Sequence, residues 1–101
     1  MITIDEVLKF LNSRLKHPMG PEDVAKLMNP YKIDSFWVYL GGTGARQQVF
    51  QLKDKVRVVF QFDGNDNLEA YGVYESEDSF ENDKKNFNIS PGVILNYINR
   101  P

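Results

Sequence analysis

At residue 35 the hydrophobic period of this chain changes from that of a helix to that of a strand, and the expected fold follows from that switch. Before it, Ile4, Leu8, Leu11 and Leu15 recur at helical spacing, and Phe10 widens the stripe. Thr3 and Glu6 form a capping box, with Ile2 and Val7 placed to staple across it. Lys9, Arg14 and Lys16 lie off the stripe or near its end, where positive charge suits the helix dipole. His17-Pro18 and Gly20 stop this helix, because a residue before proline is pushed out of the α region. Pro21 suits the first position of a short second helix, Glu22 to Met28, that buries Val24, Leu27 and Met28 and ends before Pro30.

After the switch, residues 35–40, 46–52, 56–62 and 68–75 read as strands. They are separated by Gly41-Gly42-Thr43-Gly44, by Lys53-Asp54-Lys55 and by Asp63-Gly64-Asn65-Asp66-Asn67. In the third strand Val56, Val58, Phe60 and Phe62 point one way, while Arg57, Val59 and Gln61 point the other. That alternation predicts a sheet with one buried face, and the short connections predict a four-stranded antiparallel meander. Residues 76–88 are polar enough for a long loop. Ser90 as N-cap and Pro91 behind it predict a final helix running through Val93, Ile94, Tyr97 and Ile98. The expected fold class is therefore α+β. Residues 1–101 form one domain: two N-terminal helices, the meander, and a C-terminal helix, with the helices packed on one sheet face.

Composition narrows the chemistry. A hydrophobic content of 42% with 26% charged residues is ordinary for a globular domain. Cysteine is absent, which removes disulfides, thiolate nucleophiles and Cys-based zinc sites together. No apolar run reaches the length needed to span a bilayer, and Met-Ile-Thr-Ile-Asp-Glu does not read as a signal peptide. The expectation is a cytoplasmic protein with no membrane partner, no cofactor and no metal.

The candidate motifs mostly resolve into structural roles. The glycines at 41, 42 and 44 lack the Lys and Ser/Thr that a phosphate cradle needs, and a strand follows them, so they read as a hairpin loop. Asp63, Asn65 and Asn67 copy the first ligands of a calcium loop, but Leu68 stands where glycine is required and Tyr74 where the bidentate glutamate belongs. His17 is the only histidine, at a helix end, and no second ligand or triad motif accompanies it. In the first strand Phe36, Val38 and Leu40 form the strictly apolar set expected in the core. Trp37 and Tyr39 are left partly exposed, where they could stack bases or anchor a protein. With Arg46, Lys53, Lys55 and Arg57 they make the case for a nucleic-acid-associated module, against which the acidity of the chain counts.

The charge layout points elsewhere. Residues 1–62 hold nine Lys/Arg against six Asp/Glu, whereas Asp63 to Asp83 carry eight acidic side chains and no basic one. Glu69, Tyr71 and Glu75 are read as sharing one side of the fourth strand, opposite Leu68, Ala70 and Tyr74. With Glu77, Asp78, Phe80, Glu81 and Asp83 they form a surface of carboxylates and aromatics suited to a basic protein partner.

Two helices followed by a meander, with Phe36-Trp37-Val38-Tyr39 and Lys55-Val56-Arg57-Val58-Val59-Phe60 in its strands, resemble the repeat unit of BLIP/SmpA-type folds. The chain is also similar in size and style to small bacterial immunity proteins of contact-dependent inhibition and other polymorphic toxin systems. It departs from the SmpA group in lacking the lipoprotein cysteine and signal segment. The resemblance implies a non-enzymatic cytosolic inhibitor that occludes the active site of a basic toxin, for example a nuclease.

Overall fold

Thr3 Oγ1 accepts the Glu6 N–H at 3.2 Å and starts helix α1, Ile4–Arg14, as the capping box predicts. Its buried residues are Val7 and Leu11, so the inward stripe is centred one residue round from the expected Ile4–Leu8 line. Helix α2, Pro21–Met28, begins at Gly20, whose N–H donates to Asp23 Oδ2 at 3.0 Å, and it buries Val24 and Met28. The computed structural model describes residues 1–89 and 92–98.

Four strands follow in the predicted places: β1, Asp34–Tyr39; β2, Arg46–Gln51; β3, Val56–Phe62; and β4, Leu68–Glu75. They pair consecutively and antiparallel, as hairpin-length loops require. The glycine loop after β1 is a single 3₁₀ turn, Gly41–Thr43, closed by Gly44 at φ 75°. In the next-but-one loop Asp63 Oδ1 accepts from the N–H groups of Asn65 and Asn67 at 2.9 and 3.0 Å. The carboxylate does the work of a turn.

The helices cover one face of this sheet. Phe50, Val56, Val58, Phe60, Phe62 and Leu68, each 2% exposed or less, pack there with Val7, Leu11, Val24 and Met28. The predicted inward set of β3 thus meets the helices. In β1, however, Trp37 joins this helix-side core, whereas Phe36 and Val38 face the opposite way. The expectation that the strictly apolar set would meet the helices is reversed, and Leu40 is exposed beyond the strand end.

The second face is covered too, which the expected one-sided sheet did not include. Residues 80–86, read from the sequence as loop, form helix α3, Phe80–Asn86, capped by Ser79 Oγ accepting from the Asn82 N–H at 3.3 Å. Residues 93–98, read as a helix, contain instead a short fifth strand β5, Asn96–Tyr97, that pairs antiparallel with β4. The expected start of that helix, Ser90-Pro91, lies outside the described residues. Gly72 shows why the segment lies flat. A Cβ there would stand 2.8 Å from the Ile94 carbonyl oxygen, so only glycine lets this backbone cross the strand. Among the described residues the sheet has five strands in the order β1-β2-β3-β4-β5.

Candidate functional site

The acidic segment is where the sequence concentrates charge, and the second sheet face decides how it is held. Arg57 projects from the middle of β3 onto that face and is 1% exposed. A guanidinium so placed needs acceptors, and each of its three nitrogens has one. Nη1 donates to Asp83 Oδ2 of α3, Nη2 to the Asp78 carbonyl at 2.5 Å, and Nε to Gln51 Oε1 at 2.8 Å. The guanidinium carbon also lies 5.1 Å from the Phe80 ring centroid. Phe80 in turn packs on Phe36, with centroids 5.2 Å apart. Around these contacts Phe36, Val49, Val59 and Tyr74 make a second small core with Val38, Phe80, Ile89, Val93 and Leu95 against it.

A polar relay runs beside that core. Gln47 Nε2 donates to Gln61 Oε1 at 2.8 Å, and Gln61 Nε2 donates to Glu69 Oε2 at 2.7 Å, linking three neighbouring strands. At the start of β1, Lys84 of α3 donates to Asp34 Oδ2 at 2.9 Å. That bond, with the Ser35 N–H on Oδ1, holds the Asp34 carboxyl below the ordinary carboxylate range, and it raises the Lys84 ammonium. Beyond β4, Lys55 donates to Glu77 Oε2 at 2.6 Å, which raises the lysine in turn.

The eight residues read from the sequence as one partner-facing surface therefore separate. Glu75, Glu77, Asp78 and Glu81 are exposed. Phe80 is half-buried on Phe36, and Glu69 is half-buried on Gln61. Asp83 is buried on Arg57 with 8% of its surface exposed, and Tyr71 is buried on the helix side with 7% exposed, its hydroxyl 3.4 Å from Asn12 Oδ1. The outward orientation expected of Tyr71 is thus corrected. One reason is the register shift opposite Gln61 and Phe62, which puts Leu68 on the same face as Tyr71. The other is that neither face of β4 is open.

Of the cations proposed for nucleic acid, Arg46, Lys55 and Arg57 are engaged within the fold, while Lys53 is exposed. The Arg46 guanidinium carbon lies 4.0 Å from the Trp37 ring centroid, while Nε and Nη2 donate to the Asp66 carboxylate at 3.1 Å each, which raises Arg46. Arg57, expected on the surface, is interior. Tyr39 alone of that set is largely exposed among the aromatics, at 69%.

Elsewhere an apolar cavity of about 180 Å³ opens between α1 and the end of α2, floored by Val7, Leu11, Met28 and Leu52. Glu6 supplies the one carboxylate among its lining residues. Among the described residues no group of three or more His, Cys, Asp and Glu is placed to hold a metal ion, and no helix is long and apolar enough to cross a membrane. No protein-family model, no curated protein and no solved structure matches the chain.

Sequence reasoning placed Arg57 and Asp83 on the surface, where the structure buries both, and gave Gly72 no role. Each carried a signal. An arginine among the valines of a central strand has to find an acceptor when both faces are covered, and a glycine inside a strand marks a close backbone approach.

Proposed function

We propose that this chain is a non-enzymatic binding protein, an immunity protein or inhibitor of the cytosol that neutralises a basic toxin, such as a nuclease, by covering its active site. One observation carries the reading: the acidic segment is fastened from beneath by Arg57, while Glu75, Glu77, Asp78 and Glu81 face solvent above those fastenings. Carboxylates held on an ordered scaffold lose less conformational freedom on binding than those of a free loop. A nuclease has to present Lys and Arg to phosphate, and such a rim offers those groups the same charge. Glu77 already shares its charge with Lys55, so the net attraction rests mainly on Glu75, Asp78 and Glu81.

The test is a pull-down from the source cell followed by binding kinetics at two salt concentrations. Neutralising Glu75, Asp78 and Glu81 to Gln, Asn and Gln should slow association at low salt, and the difference should shrink at high salt, where screening already weakens steering. Full binding by this folded triple variant would remove the surface from the proposal. Recovery of RNA or DNA in place of a basic protein would replace the reading with the nucleic-acid module.

A further inference from the structure

Among the described residues the sheet ends on one side at β1, and the way its ladder alternates determines what that edge offers. The Leu40 N–H donates to the Ala45 carbonyl at 3.0 Å, which fixes the even residues of the strand as those that bond to β2. The backbone groups of Ser35, Trp37 and Tyr39 therefore point away from the sheet. Asp34 Oδ1 occupies the Ser35 N–H at 2.7 Å, leaving the Trp37 and Tyr39 donors at the edge.

Open edges are usually guarded by lysine, proline, a bulge or brevity. The strand Asp34–Tyr39 has six residues, none of them lysine or proline, and its pairing with β2 has no register shift. The opposite side of the sheet ends in the two-residue β5. Exposed apolar side chains also flank the open edge: Ile33 at 66%, Tyr39 at 69% and Leu40 at 38%. Of the charges nearest the strand, Asp34 is paired with Lys84 and Arg46 with Asp66, and antiparallel pairing keeps the two copies of Lys32, just before the strand, at opposite ends. Two such edges can approach without like-charge repulsion.

We propose that β1 pairs antiparallel with β1 of a second copy of this chain, joining two sheets into one. A two-fold axis normal to the sheet keeps each helix layer on its own face, so residues opposite one another have the same parity. Two centres give the longest overlap of the six-residue strand. Centring on Trp37 sets the two Trp37 rings opposite each other, although each already stacks with Arg46. Centring on Phe36 sets each Trp37 opposite the small Ser35 and each exposed Ile33 opposite an exposed Tyr39. The second register buries what the free edge exposes. Trp37 and Tyr39 of each copy donate to the Ser35 and Ile33 carbonyls of the other. One strand pair of this length makes a small interface, so the dimer is of the weak, concentration-dependent class.

Proline at position 39 tests this cleanly, because the Tyr39 N–H points outward and its loss leaves the bonds to β2 intact. Sedimentation equilibrium between about 10 µM and about 1 mM should show the mass rising from one chain toward two, and Tyr39→Pro should weaken association at least tenfold, about 1.4 kcal/mol. Circular dichroism checks that the variant is folded. In the parent, amide exchange at Trp37 and Tyr39 should slow as concentration rises, a readout that needs no variant. The register has its own test, since the chain has no cysteine and every introduced thiol is unique. Ile33→Cys with Tyr39→Cys should yield disulfide-linked dimers on mild oxidation, whereas Ser35→Cys with Tyr39→Cys should not. A single-chain mass at every concentration overturns the proposal, as does dimerisation that Tyr39→Pro leaves unchanged. Cross-linking by the second pair alone overturns the register.

Discussion

The two faces of this sheet are held by different physics. On the helix side, Val7, Leu11, Val24 and Met28 meet Phe50, Val58, Phe60 and Phe62, and the interface is specified by volume and shape alone. On the other side, residues from 76 onward are tied down by Arg57 with Asp83, by the carbonyl of Asp78 and by Lys84 with Asp34, around a much smaller apolar cluster. An apolar face accepts substitutions that keep its volume. A face organised around a buried charge accepts one arrangement of partners, because the alternative is an unpaired guanidinium in the interior. The comparison teaches that the acidic segment is part of the fold before it is a surface.

The largest test strikes the apolar face. Phe60→Ala should lower stability by about 3–5 kcal/mol, because it empties a fully buried site at the centre of the sheet. Urea unfolding reads this, with every probe losing signal together. Next is Asp83→Ala, which strands Arg57 and should cost about 3 kcal/mol. Here amide exchange should rise first in residues 76–89 while the helix side stays protected. The double change Arg57→Met with Asp83→Leu should recover most of that loss, since it removes both charges. If the double variant is no better than the single, the second face is not organised by the ion pair.

Gly72→Ala is a smaller perturbation. The added methyl presses on the Ile94 carbonyl, and overpacking of this kind costs about 1–3 kcal/mol. Faster exchange confined to residues 92–98 and to the edge of β4 is the expected signature. The smallest effect is acid loosening at Asp34. Its carboxyl is lowered by Lys84 and the Ser35 N–H, so the contribution is fully present above the ordinary carboxylate range and is lost as pH falls through the lowered value. Nuclear magnetic resonance of α3 amides during an acid titration should show this step before global unfolding. It should be absent in Lys84→Met.

Much of the helix side was legible in the sequence, because periodicity is a property of neighbours along the chain. The boundaries of β3 and β4 and the inward set Val56, Val58, Phe60 and Phe62 follow from alternation, and α1 from its Thr3 cap. The second face was not legible in the same way. Its organisation depends on Arg57 meeting Asp83, a pairing across 26 positions that no local pattern encodes. Local signs of α3 were nevertheless present: Ser79 as cap, Glu81 and Asp83 in the first turn, Lys84 and Lys85 in the last. They were masked by the polarity of the stretch. The C-terminal segment misled for the opposite reason, since the sequence there reads as helical while Gly72, a distant residue, dictates an extended crossing at residues 93–95. The candidate surface was half legible: Glu75, Glu77, Asp78 and Glu81 are outside, while Tyr71 and Asp83 serve the interior.

The turn between β2 and β3 carries a consequence for engineering this molecule. Asp54 and Lys55 both adopt positive φ, 58° and 65°, in a turn closed by the Val56 N–H on the Lys53 carbonyl at 3.2 Å. Asn-Gly is the natural occupant of such a turn, and neither residue here relieves the strain as glycine would. What the present pair supplies is reach: Asp54 Oδ2 accepts the Ile2 N–H at 2.7 Å, and Lys55 holds Glu77. Substituting Asn-Gly should raise thermal stability by an amount on the order of 1 kcal/mol. The gain would come with a freer Glu77 and, in a consensus-style optimisation, would be selected without regard to binding. A version carrying Asn-Gly at this turn should melt higher than the parent and leave Glu77 without its lysine, so that stability and surface charge change together at one site.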